Sequence, residues 1–228
     1  MIEKNPKDFV PLFFNETSDS YDTIVHWTTF GKDGFWKNNI LDMLTTEKTV
    51  LDLACGTGIL TRQVAKKIPH SEIIGIDITE SYLQKARERS RAYPNISYVH
   101  QDAEKMDLGG KFDCIMASYL PKYCNPDVLV KNCLEHLNTG GKIILHDFTY
   151  PKNKIVRKAW NMYFEILRLE GFFLPSWKSV FVNLPEIIRS TKWTEEYERV
   201  MKDNHLTTQI KSLTLGTSAI LTGVKISK

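Results

Sequence analysis

The chain has 228 residues, enough for one sizeable core, with 42% apolar and 25% charged residues, the balance of an ordinary globular protein. Thirty basic and 27 acidic residues leave a formal charge of +3, too even to mark a nucleic-acid partner. No apolar run approaches a membrane span, and the polar start Met1 to Asp8 lacks a signal-peptide core.

Residues 9 to 44 read as a helical preamble, too rich in Phe13, Tyr21, Trp27, Phe30, Phe35, Trp36 and aliphatics to be a tail. Gly31 and Gly34 are expected to break it into two helices, which either cap a sheet or cover a cleft. His26 on this aromatic stretch is expected to pack. Strands and helices then alternate. Strands are expected at Thr49 to Leu53, Ile73 to Asp77, Ile96 to His100, Phe112 to Ser118 and Lys142 to Phe148. Helices are expected at Ile59 to Ile68, Thr79 to Ala92 and Asp127 to Leu137. Gly140-Gly141 is expected to make a tight turn into the fifth strand. Such alternation argues a mostly parallel sheet with helices on both faces.

From Ile155 to Leu169 a further helix is expected, then an aromatic break at Gly171 to Pro175. Shorter helices follow around Pro185 to Ser190 and Thr194 to Asn204. The aromatic stretch Gly171 to Leu184 is either a greasy lid or a small helical subcore. Gln209 to Leu215 and Ser218 to Ile226, joined at Gly216-Thr217, read as an antiparallel hairpin on the sheet's edge. The whole is expected to be an α/β fold with a seven-stranded sheet in a single domain. It divides into an N-terminal helical cap (1–46), a cofactor-binding core (47–150), a helical substrate-side insertion (151–206) and the edge hairpin (207–228).

Cys55, Cys114, Cys124 and Cys133 form no C-x-x-C pair and no zinc pattern with histidine. Reduced thiols, a cytoplasmic location and no metal are the expectation. Sequons at Asn15 and Asn95 carry weight only in a secreted chain.

In an open α/β sheet ligands bind beyond the carboxyl ends of the strands. Those ends carry Asp52 through Gly58, Asp77, Asp102-Ala103 and Ser118-Tyr119. Gly56 and Gly58 allow a sharp turn and close approach of a ligand, and Asp77 follows Gly56 at the spacing that sets a carboxylate on ribose hydroxyls. Three carboxylates on one rim repel a pyrophosphate, and the loop lacks the third glycine of G-x-G-x-x-G. S-adenosylmethionine suits such a rim: it is cationic, has two ribose hydroxyls and carries no phosphate.

The segments "VLDLACGTG", "IIGID", "QDAEKMD", "FDCIMASY" and "LNTGGKIILHDF" resemble the class I S-adenosylmethionine-dependent methyltransferases. With "YDTIVHWTTFGKDGFWKN" and "SLTLGTSAILTGVK" at the two ends, the chain is most similar to the ubiquinone/menaquinone biosynthesis C-methyltransferase family, from about Tyr21 to Lys225. The resemblance implies a Rossmann-like fold with Asp52 near the methionine part, Gly56, Thr57 and Gly58 under the cofactor, and Asp77 on the ribose. It also implies Asp102 and Ala103 at the adenine edge and Ser118 lining the site, and Ala54 and Ile78 are placed with them. The family carries FG-x-R-N after the fourth strand, where this chain has Tyr119-Leu120-Pro121-Lys122-Tyr123. Lys122 therefore stands for the arginine and is the first candidate base or cation, with Asp147, expected at the cleft, as the second catalytic candidate. Tyr119 and Tyr123 are candidates for the acceptor pocket, while His146 is expected to be a satisfied core histidine.

The expected activity is methyl transfer to a small, partly apolar acceptor, with a demethylmenaquinol-like ring carbon leading. O- or N-methylation by the same fold, and cofactor binding without catalysis, are the alternatives. The expected partner is a lipid-soluble small molecule, with no nucleic acid and at most peripheral membrane contact; oligomeric state is left open, a homodimer included.

Overall fold

Successive apolar residues on each central strand point to opposite sides of one sheet, and that alternation sets the layering. The computed structural model describes residues 10–14 and 17–226. The readings of Met1 to Asp8 and of the Asn15 sequon lie outside those residues. The described residues form a seven-stranded sheet in the order β3-β2-β1-β4-β5-β7-β6. The strands are β1 (Thr49–Leu53), β2 (Glu72–Asp77), β3 (Ile96–His100), β4 (Phe112–Ser118), β5 (Leu137–Phe148), β6 (Leu206–Leu213) and β7 (Ser218–Lys225). The first five run parallel, and β7 pairs antiparallel with both β5 and β6. This is the Rossmann-like sheet with a C-terminal edge hairpin that the sequence suggests.

Helices cover both faces. Leu51, Ile115, Ile143 and Leu221 face α6 (Pro126–Glu135) and α9 (Trp193–Asp203) in one core. Their strand neighbours Val50, Cys114, Ile144 and Ile220 face α3 (Lys32–Leu41) and α4 (Ile59–Lys67) in another. A third, aromatic core joins α1 (Val10–Phe14), α7 (Lys154–Glu170) and α8 (Pro175–Ser190), and α2 (Tyr21–Thr28) packs against it. Helix starts are set locally: Asn125 and Asn153 accept from the first free backbone N–H groups of α6 and α7. The helix after β2 is α5 (Glu80–Arg89), with Thr79 before its first turn.

Four local expectations change. The preamble holds three described helices; Gly31 takes a left-handed φ of 70° ahead of α3, but Gly34 lies inside α3 with open space where a Cβ would be. β5 starts at Leu137, so Gly140-Gly141 belongs to the strand. A register shift between Phe112 and Cys114 absorbs the irregularity, and a Cβ on Gly141 would stand 2.9 Å from the Asn138 carbonyl. α8 runs unbroken through Pro185, because Trp177, Val180, Phe181, Ile187 and Ile188 bury one face that outweighs the missing N–H. His26 is exposed, with its ring beside Gly31. Among the described residues no helix is long and apolar enough to cross a membrane.

Candidate active site

The order of the sheet reverses between β1 and β4, and a cleft opens beyond the carboxyl ends of the strands there. Its volume is about 710 Å³. Ala54 and Gly56 follow β1; Asp77, Ile78 and Thr79 close β2; Gln101, Asp102 and Ala103 follow β3; Ser118, Tyr119 and Leu120 close β4. From above it is covered by Val10, Phe14 and Tyr21 of the preamble and by Tyr82 of α5. Among the described residues no Lys, Arg or His lines this cleft, whereas two carboxylates do.

Asp77 ties the rim together. Its Oδ2 accepts from the Gly56 N–H at 2.9 Å and its Oδ1 from the Thr79 N–H at 2.8 Å. Burial raises its pKa, and those two backbone donors oppose the rise. Gly56 has φ 56°, a left-handed value that costs a residue with a side chain, and a Cβ there would reach the Tyr82 ring at 3.6 Å. Asp102 Oδ1 accepts from the Glu104 N–H at 3.0 Å and so starts the 3-10 turn Ala103–Lys105.

Seven of the ten residues expected at the cofactor line this cleft: Ala54, Gly56, Asp77, Ile78, Asp102, Ala103 and Ser118. Three stand behind its wall. Asp52 is buried and accepts from the Thr61 hydroxyl at 2.6 Å, with burial pushing its pKa up to about 7. Thr57 turns away and donates to Asp22 Oδ1 at 2.6 Å. Gly58 opens α4 at φ 75°, with the Tyr98 hydroxyl and Ala86 against it.

A second, larger cavity of about 1220 Å³ adjoins the first. It lies between α2, α3, α7 and α8, with Trp36, Phe148, Trp160, Phe164, Trp177 and Phe181 among its walls. Phe14, Tyr21, Tyr119 and Tyr123 line both cavities and form the partition between them. Among the described residues Lys122 is the one charged side chain that lines the larger chamber and is buried; Lys32 at its edge is exposed.

Lys122 sits on the 3-10 turn Pro121–Tyr123 and is buried. Its Nζ donates to Asp147 Oδ1 at 2.8 Å and to the Tyr119 carbonyl at 2.7 Å, and lies 4.3 Å from the Tyr123 ring centroid. Asp147 also accepts from the Lys122 N–H at 3.1 Å and the Phe148 N–H at 2.7 Å. Burial pulls the Lys122 pKa down and the Asp147 pKa up, and the pairing opposes both shifts. The expectation that Asp147 faces the cleft is corrected: it is fully buried behind Lys122 and lines neither cavity, because a carboxylate with three donors is held inward.

His146 matches the expectation of a satisfied core residue. Its Nδ1 pairs with Ser118 Oγ at 2.9 Å and its Nε2 with Ser218 Oγ at 2.7 Å, and burial keeps the ring neutral.

Sequence reasoning missed two features. The Tyr119 hydroxyl donates to Asp33 Oδ1 at 2.8 Å, and Asp33 is also ion-paired with the buried Lys37. The preamble is also stapled over the cleft: Thr17 Oγ1 and the Tyr82 hydroxyl are 2.7 Å apart, and Asp22 takes both Thr57 and Arg89. Neither carries a local signal, since the partners lie 86 and 65 residues apart.

A model of the ubiE/COQ5 methyltransferase family matches residues 2–225. The ubiquinone/menaquinone biosynthesis C-methyltransferase UbiE of Shewanella frigidimarina is 28% identical over 212 residues, spanning 89% of this chain and 84% of that protein. The enzyme of the same name from Escherichia coli O1:K1 is 28% identical over 99% of this chain and 94% of its own length. Among solved structures, the plantazolicin methyltransferase BpumL in complex with SAH superposes with a TM-score of 0.66 at 13% identity. That match covers 97% of this chain and 95% of that one, and it reflects a shared fold.

Proposed function

The chain belongs to the ubiE/COQ5 methyltransferase family of S-adenosylmethionine-dependent enzymes, and from that premise we propose that it methylates a ring carbon of an apolar, quinol-like acceptor. One observation carries the acceptor reading: the cofactor-type cleft and a large aromatic chamber share a wall of four aromatic residues, and the buried Lys122, which lines the chamber, stands at that wall.

The cleft suits S-adenosylmethionine by its chemistry. Its carboxylates and lack of basic side chains favour a cation bearing hydroxyls over a phosphate. In this reading Asp77 and Asp102 take the ribose and adenine ends, with Ala54, Gly56, Ile78, Ala103 and Ser118 in contact. Asp52, Thr57 and Gly58 hold the loop from behind. Bound there, the cofactor supplies an electrophilic methyl group on a sulfonium.

On the chamber side, Tyr119, Tyr123 and Phe148 flank the acceptor ring, and Lys122 faces its hydroxyl. Lys122 Nζ passes one of its protons to the Asp147 carboxylate as it takes the hydroxyl proton, the O–H electron pair stays on the ring oxygen, and the ammonium remains against the oxyanion. That electron pair makes the ring carbon nucleophilic; once methylated, the carbon releases its own proton to solvent and Lys122 returns one to the ring oxygen, with Asp147 giving its proton back, which restores the aromatic quinol. Holding the two reactants in line where the two cavities meet can supply on the order of 7–11 kcal/mol of the barrier. Lys122 adds about 10²–10⁴-fold as the base. A cytoplasmic site of action fits this chemistry.

The test is turnover with radiolabelled S-adenosylmethionine on a short-chain demethylmenaquinol against matched phenols and amines. Ring-methylated product from the quinol alone is the expected result. Methylated oxygen or nitrogen as the main product would overturn it.

A further inference from the structure

α7 is apolar on two faces. Trp160, Phe164 and Leu167 point into the aromatic core, but Ile155, Ala159, Met162, Ile166 and Leu169 are exposed, at the 4-3-4-3 spacing that lines one side of a helix. Ile155 is 81% exposed. The chain then continues this surface outward through Phe172 and Phe173, the latter 86% exposed. A patch of this kind on an isolated protein marks a surface that meets something apolar.

Two further observations say what it meets. Residues 151–192 carry eight basic and three acidic side chains, a net +5 in a chain whose sum is +3, so the remainder is −2. Within that stretch Lys154, Lys158 and Lys178 are exposed around the apolar stripe together with Glu165 and Glu170, Arg168 is ion-paired with Glu165 at 3.7 Å, and Lys178 Nζ lies 5.3 Å from the centroid of the Phe172 ring. Basic side chains bordering exposed aromatics are the pattern of a helix that lies in a lipid interface. The patch also reaches the chamber mouth. Phe30, exposed and lining the chamber, packs on Tyr163 of α7 at 5.3 Å, and the Tyr163 hydroxyl donates to the Thr28 carbonyl.

We propose that the outer face of α7 with Phe172 and Phe173 is a docking surface for an anionic lipid bilayer, set so that the mouth of the aromatic chamber opens at the acyl boundary. Anionic headgroups match a segment of net +5, whereas a second copy seated face to face would bring two such segments together. The surface stands by itself; that the bilayer also delivers the acceptor rests on the apolar-acceptor reading above. Vesicle binding is therefore measured without acceptor, so the two ideas fail separately.

The experiment is co-sedimentation of the full chain with phosphatidylglycerol/phosphatidylcholine vesicles and with phosphatidylcholine alone, at low and physiological salt. S-adenosylhomocysteine affinity and far-ultraviolet circular dichroism check that each variant is folded. Binding to the anionic vesicles is expected, falling about tenfold or more in Phe172→Ser/Phe173→Ser. Each basic residue near such a surface is worth about fivefold, so Lys154→Gln/Lys158→Gln loses about 25-fold and the loss shrinks in high salt. No binding to anionic vesicles, or binding that neither double variant changes, overturns the proposal. So does a vesicle-free dimer that Ile166→Glu splits while vesicle binding is kept, since the patch then belongs to a second copy.

Discussion

Replacing Lys122 by methionine keeps the length of the side chain and removes its charge, which isolates what the ammonium does for both fold and reaction. The Lys122 side chain is 2% exposed and that of Asp147 is fully buried. The substitution leaves Asp147 with only its two backbone donors, the N–H groups of residues 122 and 148. Breaking a buried pair from one side costs about 3–5 kcal/mol, because a charge is left in the interior. For a chain of this size that is a drop of about 6–20 °C in Tm. Asp147→Leu alone should cost less, since burial already pulls the Lys122 pKa down and a stranded amine sheds its proton. Lys122→Met/Asp147→Leu should recover most of the loss, so the two single costs exceed the double. Lys122 lines the chamber and not the cofactor cleft, so S-adenosylhomocysteine affinity should stay within about twofold while turnover falls about 10²–10⁴-fold. Urea melts of the four proteins, calorimetry and radiolabel transfer read these quantities. Strictly additive stability costs would show that the pair is no coupled unit, and wild-type turnover in Lys122→Met would remove it from the reaction.

Other parts of the site make their own claims. Asp77→Ala strips the acceptor from the Gly56 and Thr79 N–H groups, and calorimetry should show S-adenosylhomocysteine binding weakened by about 10–100-fold; unchanged affinity would detach Asp77 from the ligand. Gly56→Arg forces a side chain into the cleft at φ 56° and should abolish that binding, so measurable retention would move the cofactor elsewhere. Asp52 is pushed up to about 7 from an ordinary 3.8, so the folded state holds its proton more tightly than the unfolded chain does. Its contribution is complete below about pH 4 and is lost as pH rises to about 7, at no more than roughly 1.4 kcal/mol per pH unit. Asp52→Asn should flatten that slope in urea melts at successive pH values, and an identical slope would contradict the burial argument.

Strands β1, β3 and β4 begin and end where apolar alternation and their flanking polar residues place them, because each is set by its own sequence. β5 and α8 show where local reading stops. Two glycines and a proline are strong punctuation in a sequence, yet here a register shift and a buried aromatic face decide the outcome. The same division runs through the site. The cleft was legible because strand-end residues of an open sheet converge whatever the rest of the chain does. Lys122 was read as a candidate base or cation, but its burial was not legible, since most lysines are exposed and its buried partner lies 25 residues downstream. Nothing near Tyr119 announces Asp33, which arrives from the preamble.

The preamble thus has more than a capping role, and geometry explains why. It supplies two of the four residues of the wall between the cavities, Phe14 and Tyr21, and the acid that receives the hydroxyl of a third, Tyr119. Polar staples from Thr17, Asp19 and Asp22 to Tyr82, Lys85, Thr57 and Arg89 fix it to α5 and to the loop before α4. The Thr17 staple is buried and the Thr57 to Asp22 hydrogen bond part-buried, whereas the exposed ion pairs are worth little each and less in salt. The wall between the two cavities is therefore held by the contacts of Thr17 with Tyr82 and of Asp22 with Thr57, and by aromatic packing of Phe14 and Tyr21 on Tyr82 and Trp177. Tyr82→Phe removes the buried hydroxyl partner and leaves the ring, so it should loosen the wall while keeping the packing, raising the KM for acceptor more than it lowers kcat. An unchanged KM would mean that packing and the Asp22 contact hold the partition in place.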